Sequence, residues 1–525
     1  MRFFNTAGPV NCEKHYCLPP LMRFNLDEIL TLIDQEKYFV LHAPRQTGKT
    51  TCLLALMDHL NREDKYRCLY VNVEVGQSAR EDVRRGIRAI LSELASRART
   101  FLKDSFMEQT YPMVLEKSGE DAALNQMLTL WAEQSSKPVV LLVDEIDSLV
   151  GDTLISVLRQ LRAGYDKRPA SFPQTTILCG VRDVRDYRIH SSQGKDPITG
   201  GSAFNIKAES LRLGNFGQGE VETLYRQHTQ ETGQPFEEAV LDQVWELTGG
   251  QPWLVNALGY ELCFKMKEGR DRSTLITAGM VIEAKERLIL RRETHLDQLV
   301  DKLREERVRN VIGPILAGST TPDLIPTDDI LYVRDLGLIR TEGQLSIANL
   351  IYQEIIPREL TFSTQLTISH QPAWYIAPDG RLDVPKLLAA FQDFFRQHSE
   401  HWVERFDYKE AGPQLLMQAF LQRVINKGGR VEREYGLGRM RTDLLVWWPF
   451  EDQVQRTVIE LKILHGSLDR TIEQGLEQTW AYMDRCKAEE GHLIIFDRDR
   501  DKTWESKIFK REASYQGTPI TVWGM

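Results

Sequence analysis

The sequence predicts an α/β protein of several domains, led by a mostly parallel, doubly wound sheet that carries a phosphate-binding loop. Three observations predict it. The apolar run Tyr38–His42 leads into Ala43-Pro-Arg-Gln-Thr-Gly48-Lys49-Thr50-Thr51. A second apolar run begins at Val139 and ends in Asp144-Glu145. Near the C-terminus, Asp443 opens a third apolar run, and Glu460-Leu-Lys462 lies in a fourth.

The loop follows from charge. A triphosphate concentrates negative charge, and backbone N–H groups at a helix N-terminus answer it with positive potential. The residues match the G-x-x-x-x-G-K-[ST] spacing after its first position. Gly48 supplies the tight turn, Lys49 reaches the β- and γ-phosphates, and the Thr50 hydroxyl ligates Mg²⁺. Ala43, Gln46 and Thr47 complete the loop, and Thr51 offers a hydroxyl near the α-phosphate. Ala43 stands where the pattern has its first glycine. A Cβ disfavours positive φ, so the loop entry must differ slightly or keep φ negative. An amphipathic helix is expected over residues 49–60.

Asp144, at the end of its strand, is placed to hold the metal through water, and Glu145 to polarise the attacking water. The alternative is an acidic pair opening the next helix, with Asp147 as a cap. Residues 67–74 read as an extra strand between the two motifs. Residues 176–181 read as a fourth, followed by Arg182 and Arg185. Those arginines are candidates to sense phosphate or to reach a neighbouring subunit; a solvated charged turn is the alternative.

At 525 residues the chain exceeds a single core, and roughly three or four domains are expected. The apolar fraction of 42% and charged fraction of 27% suit a globular protein. No run has transmembrane length and residues 1–20 carry no signal pattern, which predicts a cytoplasmic protein without membrane partners. Seven scattered cysteines argue against a disulfide framework. Cys12, His15 and Cys17 are close enough for a metal, but no second ligand pair follows and zinc is not expected. A net charge of −9 excludes a polycation, so nucleic acid must be met by a local basic face.

The core is expected over residues 1–215. Residues 216–292 turn helical, with helix-period apolar residues over 220–233, 237–248 and 253–268. Gly249-Gly250-Gln251-Pro252 separates the last two, glycine stopping one helix and proline opening the next. Residues 293–362 read as a winged-helix unit, with helices over 308–316 and 328–336 and two short strands within 337–347. Its second helix carries more acid than base, which favours packing within the molecule or an oligomer over DNA reading. A linker is expected over 363–384 and a last α/β domain over 385–525.

Residues 1–360 resemble the prokaryotic AAA-like ATPases, close to the archaeal-type and signal-transducing ATPases with numerous domains. The resemblance rests on Phe4-Asn-Thr-Ala-Gly-Pro-Val10, on the phosphate loop from His42 to Thr50, and on Asp144-Glu145-Ile-Asp147. Phe204-Asn-Ile206 and Gly250-Gln-Pro252 add to it. It implies ATP as the nucleotide, a helical lid over 216–292, a Gly249-Gly250-Gln251-Pro252 motif that packs near that nucleotide, a winged helix, and ring-like or clustered assembly into homo-oligomers. Members couple to very different outputs, so it names no substrate.

In the last domain, a helix over 414–426 precedes a strand over 430–435. Asp443 opens the next strand, and Glu460 and Lys462, two apart, share one face of the strand after it. Two carboxylates there bind Mg²⁺ or Mn²⁺, and the lysine orients water or stabilises a phosphorane. This arrangement resembles the PD-(D/E)xK nuclease superfamily over residues 385–525. Gln478 and Tyr482 on a helix over 471–486 match its Q-x-x-x-Y element, and 492–496 its following strand. The helix offers Gln414 and Gln418 where many members carry a glutamate; Glu432 or Glu434 are substitutes.

The reading is therefore an ATPase, with Asp144, Glu145, Lys49 and Thr50 at its centre, fused to a metal-dependent nuclease with Asp443, Glu460, Lys462 and Gln478. Its partner would be nucleic acid, DNA ahead of RNA, and by resemblance its setting would be genome defence. The rival is a signalling or assembly switch whose nuclease-like fold binds a partner without cutting, its Glu460–Lys462 pair a buried salt bridge.

Overall fold

The structure is a computed structural model. It describes residues 1–183, 188–189, 198–199, 204–291, 301–316, 325–343, 345–367, 375–405, 412–425, 429–433, 444–451, 453–464, 466–499 and 501–525. Two compact units divide the chain: Met1–His295 with Leu331–Ile339, and Leu296–Ile330 with Arg340–Met525. Among the described residues, no helix is long and apolar enough to cross a membrane.

The first unit is built on five strands: β1 Tyr38–His42, β2 Arg67–Asn72, β3 Val139–Asp144, β4 Thr175–Gly180 and β5 Lys207–Arg212. All pair in parallel, in the order β2-β3-β4-β1-β5. Strands covered on both faces read as continuous apolar runs, and β1, β3 and β4 are buried along their whole length. Alternation divides their side chains: Tyr38 and Val40 join a core around Trp131, and Phe39 and Leu41 join one with Leu53 and Leu56. The parallel strands end together, which sets the loop after β1 and Asp144 of β3 on the same edge of the sheet. The strand expected over 67–74 stops at Asn72. Three helices, Val83–Leu102, Phe106–Ser118 and Glu120–Gln134, then intervene before β3.

The helical segment contains Gln218–Thr232, Glu238–Thr248, Pro252–Tyr260 and Ala278–Arg291. The helix expected over 253–268 is broken by a π-helical turn at Glu261–Lys265. There the wholly buried Glu261 carboxylate accepts both Arg291 terminal nitrogens, at 2.5 and 3.0 Å. Cys12 and Cys17 form a disulfide with a Cα–Cα distance of 5.4 Å, a local bridge that the count of scattered cysteines did not predict.

The boundaries expected for the middle of the chain need correction. Helices occur at Glu306–Leu316 and Thr327–Asp335, and short strands at Ile339–Arg340 and Ser346–Ile347, near the anticipated positions. Yet Leu331–Ile339 belongs to the first unit. The helix Leu350–Thr367 also runs through the position where the linker was expected to begin.

The second unit carries a six-stranded mixed sheet. Its strands are β6 Arg430–Arg433, β7 Leu444–Phe450, β8 Gln453–Ile463, β9 Glu490–Phe496, β10 Phe509–Tyr515 and β11 Thr518–Gly524. The order is β6-β7-β8-β9-β11-β10, with β8-β9 and β9-β11 parallel and the rest antiparallel. The helix Leu468–Cys486 lays Tyr482 and Met483 against Leu445, Val458, Leu493 and Val522. The helix Val384–Arg405 and the terminal β10–β11 hairpin were not anticipated.

Candidate functional site

The phosphate loop leaves β1 and curls before the helix Lys49–Glu63. Gly48 takes φ 95° and Gln46 φ 58°, while Ala43 stays outside the left-handed region, as a residue with a Cβ prefers. The Ala43 N–H instead donates to Gly180 O at 3.2 Å, prolonging the β1–β4 pairing. Thr47, fully buried, donates its hydroxyl to Pro44 O at 2.8 Å and braces the curl. Lys49 reaches back to Ala43 O and Pro44 O, at 3.0 and 3.1 Å, so its ammonium is held within the loop.

Asp144 is wholly buried behind Thr50. Its Oδ2 accepts the Thr50 hydroxyl at 2.7 Å and the Tyr70 hydroxyl at 3.0 Å, and its Oδ1 accepts the Glu145 N–H at 3.0 Å. Tyr70 belongs to no motif, and burial raises its pKa, which keeps it a hydrogen-bond donor. Glu145 adopts a left-handed conformation at φ 57°. Strained non-glycine residues of this kind concentrate at functional sites. Burial raises the Glu145 pKa, opposed by Lys49 and reinforced by Asp147 and Asp144. Thr50 and Asp144 present the hard oxygen donors that Mg²⁺ takes from a protein when most of its shell is phosphate and water, so these residues fit that ion.

A cavity of about 460 Å³ opens over the loop. Gly48, Lys49, Thr50, Thr51 and Glu145 line one part. Residues 5–10 and 16–18 of the N-terminal segment line another, and Arg23, Tyr70, Arg97, Phe216, Pro252 and Trp253 are also part of the wall. Pro252 of the Gly-Gln-Pro turn therefore borders the cavity. Gly250, at φ 69°, makes this possible: a Cβ there would stand 1.9 Å from Phe216 O. The N-terminal segment is held at several points. Trp253 Nε1 donates to Thr6 O at 2.9 Å, and His228 bridges Tyr16 and Gln234 at 3.1 and 2.8 Å. Thr51 accepts the Val10 N–H at 3.0 Å, so the hydroxyl expected near the α-phosphate also anchors this segment.

Arg182 stacks on the Tyr332 ring at 4.8 Å, and Arg185 lies outside the described residues. Cys12 and Cys17, weighed with His15 as metal ligands, are bonded to each other.

In the second unit, Lys462 Nζ and Glu460 Oε1 are 2.7 Å apart on one face of β8, and Glu460 is only 1% exposed. Gln414, Gln418 and Tyr482 are buried, and Oε1 of Gln414 and of Gln478 find no hydrogen-bond partner among the described residues. Asp443 and Glu434, and the side chain of Glu432, lie outside the described residues. Among the described residues, no cluster of three or more His, Cys, Asp and Glu forms a metal site.

Residues 33–187 match the family model of the AAA domain. Solved structures similar to the chain include the Walker-type ATPase of Pyrococcus abyssi, at 15% identity and TM-score 0.42 over 66% of this chain and 98% of that one. Cdc6p from Pyrobaculum aerophilum matches at 15% identity and TM-score 0.36, over 63% and 90%. The Holliday junction branch migration motor RuvB of Thermotoga maritima matches at 13% and TM-score 0.32, over 63% and 94%. No curated protein matches the chain.

Proposed function

We propose that residues 33–187, which match the family model of the AAA domain, work as a P-loop ATPase, binding ATP in the cavity over the loop and hydrolysing it with Glu145 as general base. The observation that carries this is the Thr50–Asp144 hydrogen bond at 2.7 Å, with Glu145 one residue on at the cavity wall. Helix amides and Lys49 meet the phosphates; the ammonium exchanges the Ala43 and Pro44 carbonyls for phosphate oxygens. Mg²⁺, when bound, neutralises charge across the β- and γ-phosphates, and Thr50 and Asp144 would hold it. Glu145 takes a proton from water as the water oxygen bonds the γ-phosphorus and the bond to the bridging oxygen of ADP breaks. Its burial makes the carboxylate a stronger base than a solvated one. Phosphate release from ATP that depends on Mg²⁺ tests the reading. A parent protein that binds ATP tightly and never turns over would restrict the site to a switch.

The second unit supports a second reading, metal-dependent cleavage of nucleic acid, DNA ahead of RNA. It is favoured by a carboxylate at 1% exposure paired with Lys462 on the same strand face, beside a helix on which the half-buried Gln478 has a buried Oε1 without a hydrogen-bond partner among the described residues. A structural salt bridge alone gives no reason to bury an unpartnered amide oxygen. The rival is a fold that binds a partner without cutting. Self-assembly, a winged-helix role for the middle segment and a cytoplasmic location belong to the same proposal. Size measurement with and without ATP tests the assembly.

A further inference from the structure

Arg23 belongs to none of the motifs. It ends the short 3₁₀ turn Pro20–Arg23, and its side chain enters the wall of the nucleotide cavity. There the guanidinium lies 4.4 Å from the centre of the Phe216 ring. Its Nη2 donates to Gly214 O at 2.7 Å and its Nη1 to Thr47 O at 3.3 Å. A Cβ on Gly48 would stand 3.6 Å from Nη1, so the charge sits against the turn of the phosphate loop.

Carbonyl oxygens satisfy donors but do not neutralise a cation. Among the described residues, Arg23 makes no ion pair with a carboxylate. The acid that acts on it, Glu220, already accepts the Gly217 N–H at 2.8 Å. Burial pushes the guanidinium pKa down, because the charged form loses water there. Arg23 is half-buried, and a partly desolvated cation without a counter-charge is disfavoured; a guanidinium also has five N–H donors, more than two carbonyls use. An anion bound in the cavity would supply both the charge and the acceptors.

We propose that Arg23 is a phosphate-binding residue, contacting the α- and β-phosphate oxygens of the bound nucleotide from within the same chain. This rests on the ATP-binding reading of the cavity. The assignment to the α and β groups follows from position. Arg23 meets the loop at Thr47 and Gly48, whereas Lys49 and Glu145 mark the γ end. An arginine supplied by the N-terminal segment makes nucleotide affinity depend on that segment being docked against the loop.

The test is calorimetric titration of the full chain with ATP, ADP and adenosine, for the parent, Arg23→Gln and Arg23→Lys, alongside melting of each without nucleotide. Arg23→Gln should weaken ATP and ADP alike by about ten- to a hundredfold, the range of a charge-assisted hydrogen bond, and leave adenosine unchanged. Its nucleotide affinity should also fall less steeply with salt. Arg23→Lys, which keeps the charge but loses the fork, should recover part of the loss. The proposal is overturned if all three ligands weaken by one factor together with a lowered melting temperature, the mark of a structural brace. It is overturned equally if ATP and ADP bind Arg23→Gln as they bind the parent. A parent that binds neither ADP nor ATP removes the ATP reading itself, and this proposal with it.

Discussion

The Thr50 hydroxyl donates to Asp144 Oδ2 across 2.7 Å, tying the first turn after the phosphate loop to the end of β3, 94 residues later in the chain. Tyr70 donates to the same oxygen at 3.0 Å. Asp144 thus receives side-chain donors from a helix and from β2, and its orientation is set before any ion arrives.

Tyr70→Phe removes one of those donors and keeps the ring packing. Hydrogen bonds to charged groups are worth about 1.5–3 kcal/mol, so the Mg²⁺ concentration for half-maximal ATP hydrolysis should rise about ten- to a hundredfold. Titration of Mg²⁺ at saturating ATP checks this; an unchanged midpoint would make Tyr70 a packing residue.

Lys49→Ala should abolish turnover and weaken ATP binding on the order of a hundredfold, since it removes the ammonium placed in the loop to meet the β- and γ-phosphates. The ammonium's contacts to Ala43 O and Pro44 O vanish as well, so melting of the variant must be measured beside its kinetics. Parental turnover in a well-folded sample would refute the loop assignment.

Glu145→Gln should bind ATP while hydrolysis falls on the order of a hundredfold or more. The base must be ionised to act, and burial raises its pKa, so parental activity should be lost as pH falls through that raised value. The stability sign is the opposite of a salt-bridged acid. A raised folded pKa means stability is present below the unfolded carboxylate pKa and declines as pH rises through the folded one. Glu145→Gln should therefore melt above the parent at pH 8, with the gain vanishing near pH 4. Melting curves at the two pH values decide it.

Gly250→Ala forces a Cβ to within 1.9 Å of Phe216 O and holds a left-handed φ of 69° with a side chain. A loss of about 1–3 kcal/mol or more is expected from strain alone. Phe216 and Pro252 both line the cavity, so KM for ATP should rise together with the lowered denaturation midpoint. A variant as stable as the parent would mean that the turn relaxes.

In the second unit, Asp443→Ala or Lys462→Ala should remove metal-dependent cleavage of a mixed DNA and RNA panel while ATP hydrolysis persists, because the two sites lie in separate compact units. Lysine removal leaves Glu460 buried without its partner at 2.7 Å, so melting curves again separate lost chemistry from a loosened domain. If the parent cuts nothing under Mg²⁺ or Mn²⁺ in any nucleotide state, the partner-binding rival stands, with the glutamines of the helix Gly412–Ile425 as the reason.

What the sequence determined by itself was local. The β1–loop–helix junction, the strand ending in Asp144-Glu145, the stop at Gly249 with the restart at Pro252, and the Glu460–Lys462 face are all written in neighbouring residues. Each depends on φ preference, side-chain alternation or the period of one element, which a few adjacent positions encode. Tertiary structure alone decided which distant pieces share the cavity. It brought Tyr70 to Asp144, Trp253 to Thr6 and Arg23 to Thr47, and it drew Leu331–Ile339 into the first unit. It also joined Cys12 to Cys17, where a count of scattered cysteines pointed the other way. An apolar stripe states that a face must be covered and not what covers it. A lone tyrosine or arginine acquires its role only when the packed sheet brings an acceptor within 3 Å or so.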